Sequence, residues 1–217
     1  MANNIKQVDN VNGSKMNLGD IELAAIRGVE QGANTFAGVN TFNGNITTTD
    51  ESATYGAGAL STEIAPSTKI YNFMGDIITT IQVDLTGLKS ANDDGDIIGL
   101  DGTDGAYLLQ YKTATHGILY KSEVICVELP TASSNESLDF DLAAVAAADG
   151  AYDDDANAGT FHTGGGNVAL GTSQVDLVMG TLTNNHYVYL LTGATHSGAS
   201  VFTGGKLVIK LYGRASF

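Results

Sequence analysis

Nine short apolar runs, separated by turn residues, fill the stretch from Lys69 to Gly213 and leave it few ways to fold. They are KIYNFM (69 to 74), DIITTIQVDLTGL (76 to 88), DIIGL (96 to 100), AYLLQYKT (106 to 113), GILYKSEVICVEL (117 to 129), LDFDLAAV (138 to 145), SQVDLVMGTL (173 to 182), HYVYLLTG (186 to 193) and GKLVIKLYG (205 to 213). Several alternate apolar with polar, as in Ile81-Gln82-Val83-Asp84-Leu85 and Leu207-Val208-Ile209-Lys210-Leu211-Tyr212. Period two is the mark of a strand with one wet face. Asp94-Gly95, Asp104-Gly105 and Asp149-Gly150 lie between the runs as turn signals. No long amphipathic helix separates them, so a parallel α/β sheet is excluded in favour of antiparallel pairing. The predicted fold is all-β: an antiparallel, jelly-roll-like β-sandwich over 69–217, the strand count and loop lengths favouring a jelly roll. Within it, the Ala-rich DLAAVAAADGAYDDDANAG leaves a short helix open.

The stretch ahead of the sandwich reads differently. Residues 1 to about 17 are polar and without apolar period, an extended or mobile arm. In LGDIELAAIRGVEQGAN, Asp20 is placed to cap a helix of roughly ten residues that stops at Gly32, with Ile21, Ala24, Ala25 and Ile26 on one face. Such a helix is marginal alone in water, so that face needs a partner. NTFAGVNTFNG (34 to 44) then repeats an Asn-Thr-Phe-x-Gly phrase. One chain cannot bury Phe36 and Phe42 in an isolated two-strand unit. Several copies around an axis can turn Phe36, Val39, Phe42 and Ile46 inward, with Gly38 and Gly44 allowing close approach. The alternative is that this segment packs on its own β domain. The expected organisation is 1–50 as N-terminal arm, helix and repeat, 51–68 as a Ser/Thr/Gly/Ala connector, and 69–217 as the sandwich.

Charge narrows the partners. Ten Lys and Arg face 24 Asp and Glu, a formal net charge of −14. Phosphate-backbone binding draws on clustered cations, so nucleic acid is excluded as a partner. The arm carries Lys6, Lys15 and Arg27 against five carboxylates and is less acidic than the rest, which suits an end that docks. No apolar stretch approaches the roughly 20 residues of a membrane span. MANNIKQVDN lacks the apolar core of a secretory signal, so synthesis in a cytoplasm and no membrane association are the expectation.

Chemistry-bearing motifs are few. NDDGDIIGLDGTDG, with its acidic loop at 93–104, and DGAYDDDANAG, with its carboxylates at 149–155, can offer oxygens to calcium, but neither has EF-hand spacing, and turn chemistry explains them equally. Paired carboxylates also serve glycoside hydrolysis, yet the chain has no Trp for a sugar platform. His116, His162, His186 and His196 form no ligand grouping, and the lone Cys126 sits in an apolar run as a small hydrophobe. TGGGN (163 to 167) is glycine-rich without the Lys or helix of a phosphate cradle. The expectation is no enzyme activity, no cofactor and no metal.

NTFAGVNTFNGNIT resembles the Thr-Phe-x-Gly repeats at the stems and attachment ends of trimeric bacteriophage fibres and related virion proteins. IYNFMGDIITTIQVDLTGL through DGAYLLQYKT, EVICVELP and HYVYLLTGATHSGASVFTGGKLVIKLYG is similar to small structural proteins of tailed phages, marine and cyanobacterial ones especially. That likeness runs from Ile70 to Gly213. It implies a virion component, a capsid decoration or cement protein made in the host cytoplasm and located on the capsid surface as a homotrimer bridging major capsid protein subunits. In that picture Ile21, Leu23, Ile26, Phe36, Val39, Phe42 and Ile46 form the subunit and capsid interface. The rival within the same class is a tail or head fibre whose β domain binds a host-surface receptor or glycan through loops 90–105 and 148–167.

Overall fold

The computed structural model describes residues 54–61, 64–73, 75–133, 139–178, 182–195 and 198–215, and in the N-terminal part the strands β1 (Val8–Asp9) and β2 (Lys15–Met16). The chain divides into two compact units, Met1–Thr47 and Thr48–Phe217. Of the first, β1 and β2 pair antiparallel, Val8 opposite Met16, within the stretch expected to be an extended arm. The predicted helix, the Thr-Phe-x-Gly phrase and all seven expected interface residues lie outside the described residues.

The second unit is an antiparallel β-sandwich, as the alternating runs require. Its strands are β3 (Ser67–Phe73), β4 (Asp76–Asp84), β5 (Lys89–Ser90), β6 (Leu109–Gln110), β7 (Ile118–Ala132), β8 (Phe140–Val145), β9 (Thr160–His162), β10 (Ser173–Leu177), β11 (Tyr187–Thr192) and β12 (Ser200–Arg214). A large sheet has the order β10-β7-β12-β4-β3, with β5 joined to the start of β12; a small sheet has the order β6-β11-β8-β9. A single helical turn, α1 (Thr113–His116), leads into β7.

Period two sorts the side chains. In β4, Ile77, Thr79, Ile81 and Val83 are buried while the intervening residues are partly or fully exposed. β12 does the same with Leu207, Ile209 and Leu211 turned in. These meet Val124 and Cys126 of β7 and, from the small sheet, Phe140, Leu142, Val188 and Leu190 in one continuous core. The Phe140 and Phe202 rings lie 6.1 Å apart within it. Burying each such ring contributes on the order of 1.5–3 kcal/mol. Cys126 is fully buried, as its apolar run implies.

The small sheet is covered on both faces, and this resolves the Ala-rich run. Phe140-Asp141-Leu142-Ala143-Ala144-Val145 is a strand rather than a helix: Leu142 enters the main core, while Ala143 joins Tyr189, Leu191, Ile97, Ala106 and Ala156 in a second cluster on the opposite face. Small side chains on that face let the connecting segments lie close over it. The only helical residues in the Ala-rich stretch's tail are the 3-10 turn Asn157–Gly159.

Two expected strands are mostly cover instead. DIIGL makes single bridges, Asp96 to Asp155, Ile97 to Leu191 and Gly99 to Lys89, and AYLLQYKT contributes only the two residues of β6. Their backbone groups are satisfied loop by loop, with Ile97 N–H donating to Asp154 O at 2.9 Å and Leu100 N–H to Gly58 O at 2.8 Å. The Asp-Gly pairs also divide. Gly95 and Gly105 turn at φ 88° and 71°, where glycine meets no Cβ penalty. Gly150 is needed for space: a Cβ there would lie 2.8 Å from the Ile97 side chain and 3.0 Å from the Tyr189 ring.

Candidate functional site

Three places in the sandwich gather side chains with chemical potential. The first joins the two sheets at one edge. Ser122 comes from β7, His162 from β9 and Asp176 from β10. Ser122 Oγ lies 2.9 Å from His162 Nδ1, and Asp176 Oδ2 lies 3.8 Å from the same nitrogen. A nucleophilic triad needs its serine and its carboxylate on opposite ring nitrogens. Here both address Nδ1, and both Ser122 and His162 are fully buried. The arrangement ties the sheets together rather than presenting a nucleophile. Burial pushes the His162 pKa down against the opposing pull of Asp176 and Asp139. Burial works the other way on Asp176, but it is outweighed by the N–H groups of Thr163 (2.6 Å) and Gly164 (3.2 Å), the Thr163 hydroxyl and His162, which together hold its carboxyl low.

Beside this tie runs a groove of about 540 Å³, with Phe161, Thr163, Asp176, Val178, Leu182 and His186 in its walls. Neither Ser122 nor His162 lines it. His116 packs against Tyr111 at 5.8 Å between ring centres and is buried, and His186 Nδ1 lies 3.2 Å from Ala144 O. His196 lies outside the described residues.

The second place is the acidic end. Asp139 and Asp141, two positions apart, straddle Phe140 and both are buried at the start of β8. Thr195 donates from its N–H (3.0 Å) and hydroxyl (2.9 Å) to Asp139 Oδ2. Asp141 has no hydrogen bond at its buried Oδ1. Burial, reinforced by the charges of Asp139, Asp94 and Asp176, pushes its pKa up to about 7. Asp96 is also raised, by burial and by Asp153, Asp93 and Asp155, despite the N–H of Asp93 at 2.9 Å. Crowding of like charge is what this end has in excess. Among the described residues no group of three or more His, Cys, Asp or Glu is gathered closely enough to hold a metal ion.

The third place is the outward face of the large sheet. Register puts Leu177, Lys121, Tyr212, Ile78 and Tyr71 in one row across all five strands. A neighbouring row holds Val175, Glu123, Lys210, Thr80 and Lys69. Leu177 is 69% exposed, Val175 49% and Tyr71 44%, and Tyr120 and Ile118 add to the same face. Lys121 lays its ammonium over the Tyr212 ring at 4.2 Å, and the Tyr212 hydroxyl donates to Glu123 at 2.6 Å. Lys206 pairs with Glu128 at 2.6 Å and Arg214 with Asp76 at 3.4 Å. Exposed apolar and aromatic side chains interspersed with charges of both signs, on an open sheet face, suit a protein–protein contact better than a catalytic site.

Sequence reasoning missed this face and the Ser122–His162–Asp176 tie. Alternation in LVIKLYG did signal that Val208, Lys210 and Tyr212 share one side. Which residues flank them on neighbouring strands had no local signal. Compared with known proteins, the chain matches no family model, no curated protein and no solved structure.

Proposed function

We propose that this protein is a non-enzymatic virion component of a tailed bacteriophage, a decoration or cement protein that stabilises the capsid shell as a trimer bridging major capsid protein subunits. The observation that carries this reading is the open face of the large sheet, five strands wide, with Leu177, Val175, Tyr120 and Tyr71 exposed on a chain of net charge −14. Its surface is suited to meeting protein, and the Ser122–His162 pair is sealed from solvent. The Thr-Phe-x-Gly phrase at 34 to 44 supports the trimer and the virion setting by resemblance. In this reading residues 1–50 dock on the shell and on sister subunits, and a jelly-roll-like sandwich stands on the outside. Separating capsomers then requires breaking every contact such a trimer makes, and three linked arms multiply a modest single-arm affinity through effective concentration.

A density map of particles carrying the chain tests it: the expected result is density distributed over the whole shell at capsomer junctions. Density confined to a tail or a vertex supports the fibre reading instead, which the groove beside Thr163 and Asp176 favours as a place for a receptor or glycan. Removing residues 1–50 is expected to leave the sandwich folded, because its core draws on residues from Ala59 to Leu211, and to abolish binding to undecorated shells. Circular dichroism and co-sedimentation with shells read the two outcomes, and a truncated chain that still decorates shells removes the docking role of 1–50.

A further inference from the structure

We propose that the outward face of the large sheet is a self-association surface whose partner is the same face of a second copy of this chain. This pairing goes beyond the threefold association of the functional reading above, since a face that meets its own copy closes a two-fold pair, and it follows from charge and area on the sandwich alone.

Charge selects the occupant. Register and alternation place Lys69, Lys121, Lys206, Lys210 and Arg214 on this face with Asp76, Asp84, Glu123 and Glu128. Taking these five cations and four carboxylates from the chain's 10 and 24 leaves five cations against twenty carboxylates everywhere else. Two copies therefore repel through most of their surface, and this face is where they approach without that cost. An acidic partner needs a basic patch, and this one is nearly neutral. A basic partner finds a far stronger field at the acidic end around Asp94, Asp96 and Asp153. A nearly neutral face with interspersed charges of both signs can meet a copy of itself, because each copy brings Lys or Arg as well as Asp or Glu to pair across the contact.

Area agrees. Five strands spaced by about 4.8 Å, each offering roughly seven residues at about 3.3 Å, make a face of about 24 by 23 Å, or roughly 550 Å² in projection. Side-chain relief raises the accessible area towards the about 800 Å² per partner of a stable interface. Sheets packed face to face sit about 10 Å apart, a gap that Leu177, Tyr212, Ile78 and Tyr71 are long enough to fill from both sides.

The test uses the full chain without shells, so that it fails separately from the virion reading. Sedimentation velocity is expected to show concentration-dependent association that tightens as salt is added, since salt screens the repulsion between acidic copies. Leu177→Glu and Tyr71→Glu, both at exposed positions, are expected to weaken association at least about tenfold each while leaving thermal unfolding unchanged. Ile64→Glu, at a position 53% exposed and outside the large sheet, is expected to change neither. An equal mixture of light and heavy-isotope chains, joined by a zero-length amine–carboxyl cross-linker, identifies the occupant. Mixed-isotope links from Lys210, Lys121 or Lys69 to Glu123, Glu128 or Asp76 are the expected product. A chain that stays monomeric, association that survives both substitutions, or face lysines linked only within one copy to residues 1–50 overturns the proposal.

Discussion

Phe140→Ala is expected to destabilise the sandwich by about 3–5 kcal/mol, the usual range for removing a buried ring from a core that cannot collapse around the gap. Phe140 is fully buried at the start of β8, in the layer where the small sheet meets Phe202 of β12. Its neighbours are held by two ladders: β8 pairs with β11 and β9, and β12 pairs with β4 and β7. Backbone fixed on that many sides cannot move in to fill the space, so the loss includes the contacts of every residue lining the cavity as well as the transfer of the ring. Since a whole domain is stable by about 5–15 kcal/mol, this one change removes a large share. Urea unfolding reads it as a midpoint shift at unchanged slope. A shift as small as that of the surface change Ile64→Glu would mean that Phe140 is not between the sheets.

Asp141→Asn is expected to act in the opposite direction and only at higher pH. The folded protein raises the Asp141 pKa from 3.8 to about 7, chiefly by burial and then by Asp139, Asp94 and Asp176. A group whose folded pKa lies above its unfolded value contributes stability that is complete below the unfolded pKa and is lost as pH rises through the folded one. Asp141 thus favours the fold at pH below 3.8 and forfeits that contribution between there and about 7. At about 1.4 kcal/mol per pKa unit, the ionised form at pH 8 costs on the order of 4 kcal/mol. Asparagine keeps the shape and cannot ionise. The variant is expected to match the parent near pH 4 and to exceed it in melting temperature at pH 8.

His162 supplies a contrasting limb in the same titration. Its pKa is depressed below 6.5 by burial, so its contribution is present above 6.5 and lost as pH falls through the depressed folded value. Asp176, held low by its N–H donors, has the same sign at more acid pH. In Asp141→Asn the alkaline decline should flatten while the acid decline persists. A variant no more stable at pH 8 than its parent would show that Asp141 is already solvated in the folded state.

Much of the sandwich was legible because strand alternation is local. Ile77, Ile81, Val83, Leu207, Ile209 and Leu211 could be assigned to one face from their spacing alone, since successive strand residues point to opposite sides whatever the strand pairs with. The same logic failed for the cover segments. DIIGL and AYLLQYKT carry strand-like apolar residues, but those residues lie over the second face of the small sheet, and burial there does not require a ladder. LDFDLAAV was ambiguous for a related reason: a strand buried on both faces loses its alternation and reads like a helix. The seven interface residues between Ile21 and Ile46 rest on resemblance and on the argument that exposed phenylalanines seek cover.

What the sequence determined by itself is therefore the antiparallel β class, the inward and outward faces of individual strands and the acidic excess, all set by neighbours one or two positions apart or by composition. Tertiary structure alone decided the strand order, the meeting of Ser122 with His162 forty positions away, the crowding around Asp141, and the row from Leu177 to Tyr71 across five strands. Those depend on which edges pair and in what register. Pairing is settled by the summed burial of the whole sandwich, a quantity that no single run of residues contains.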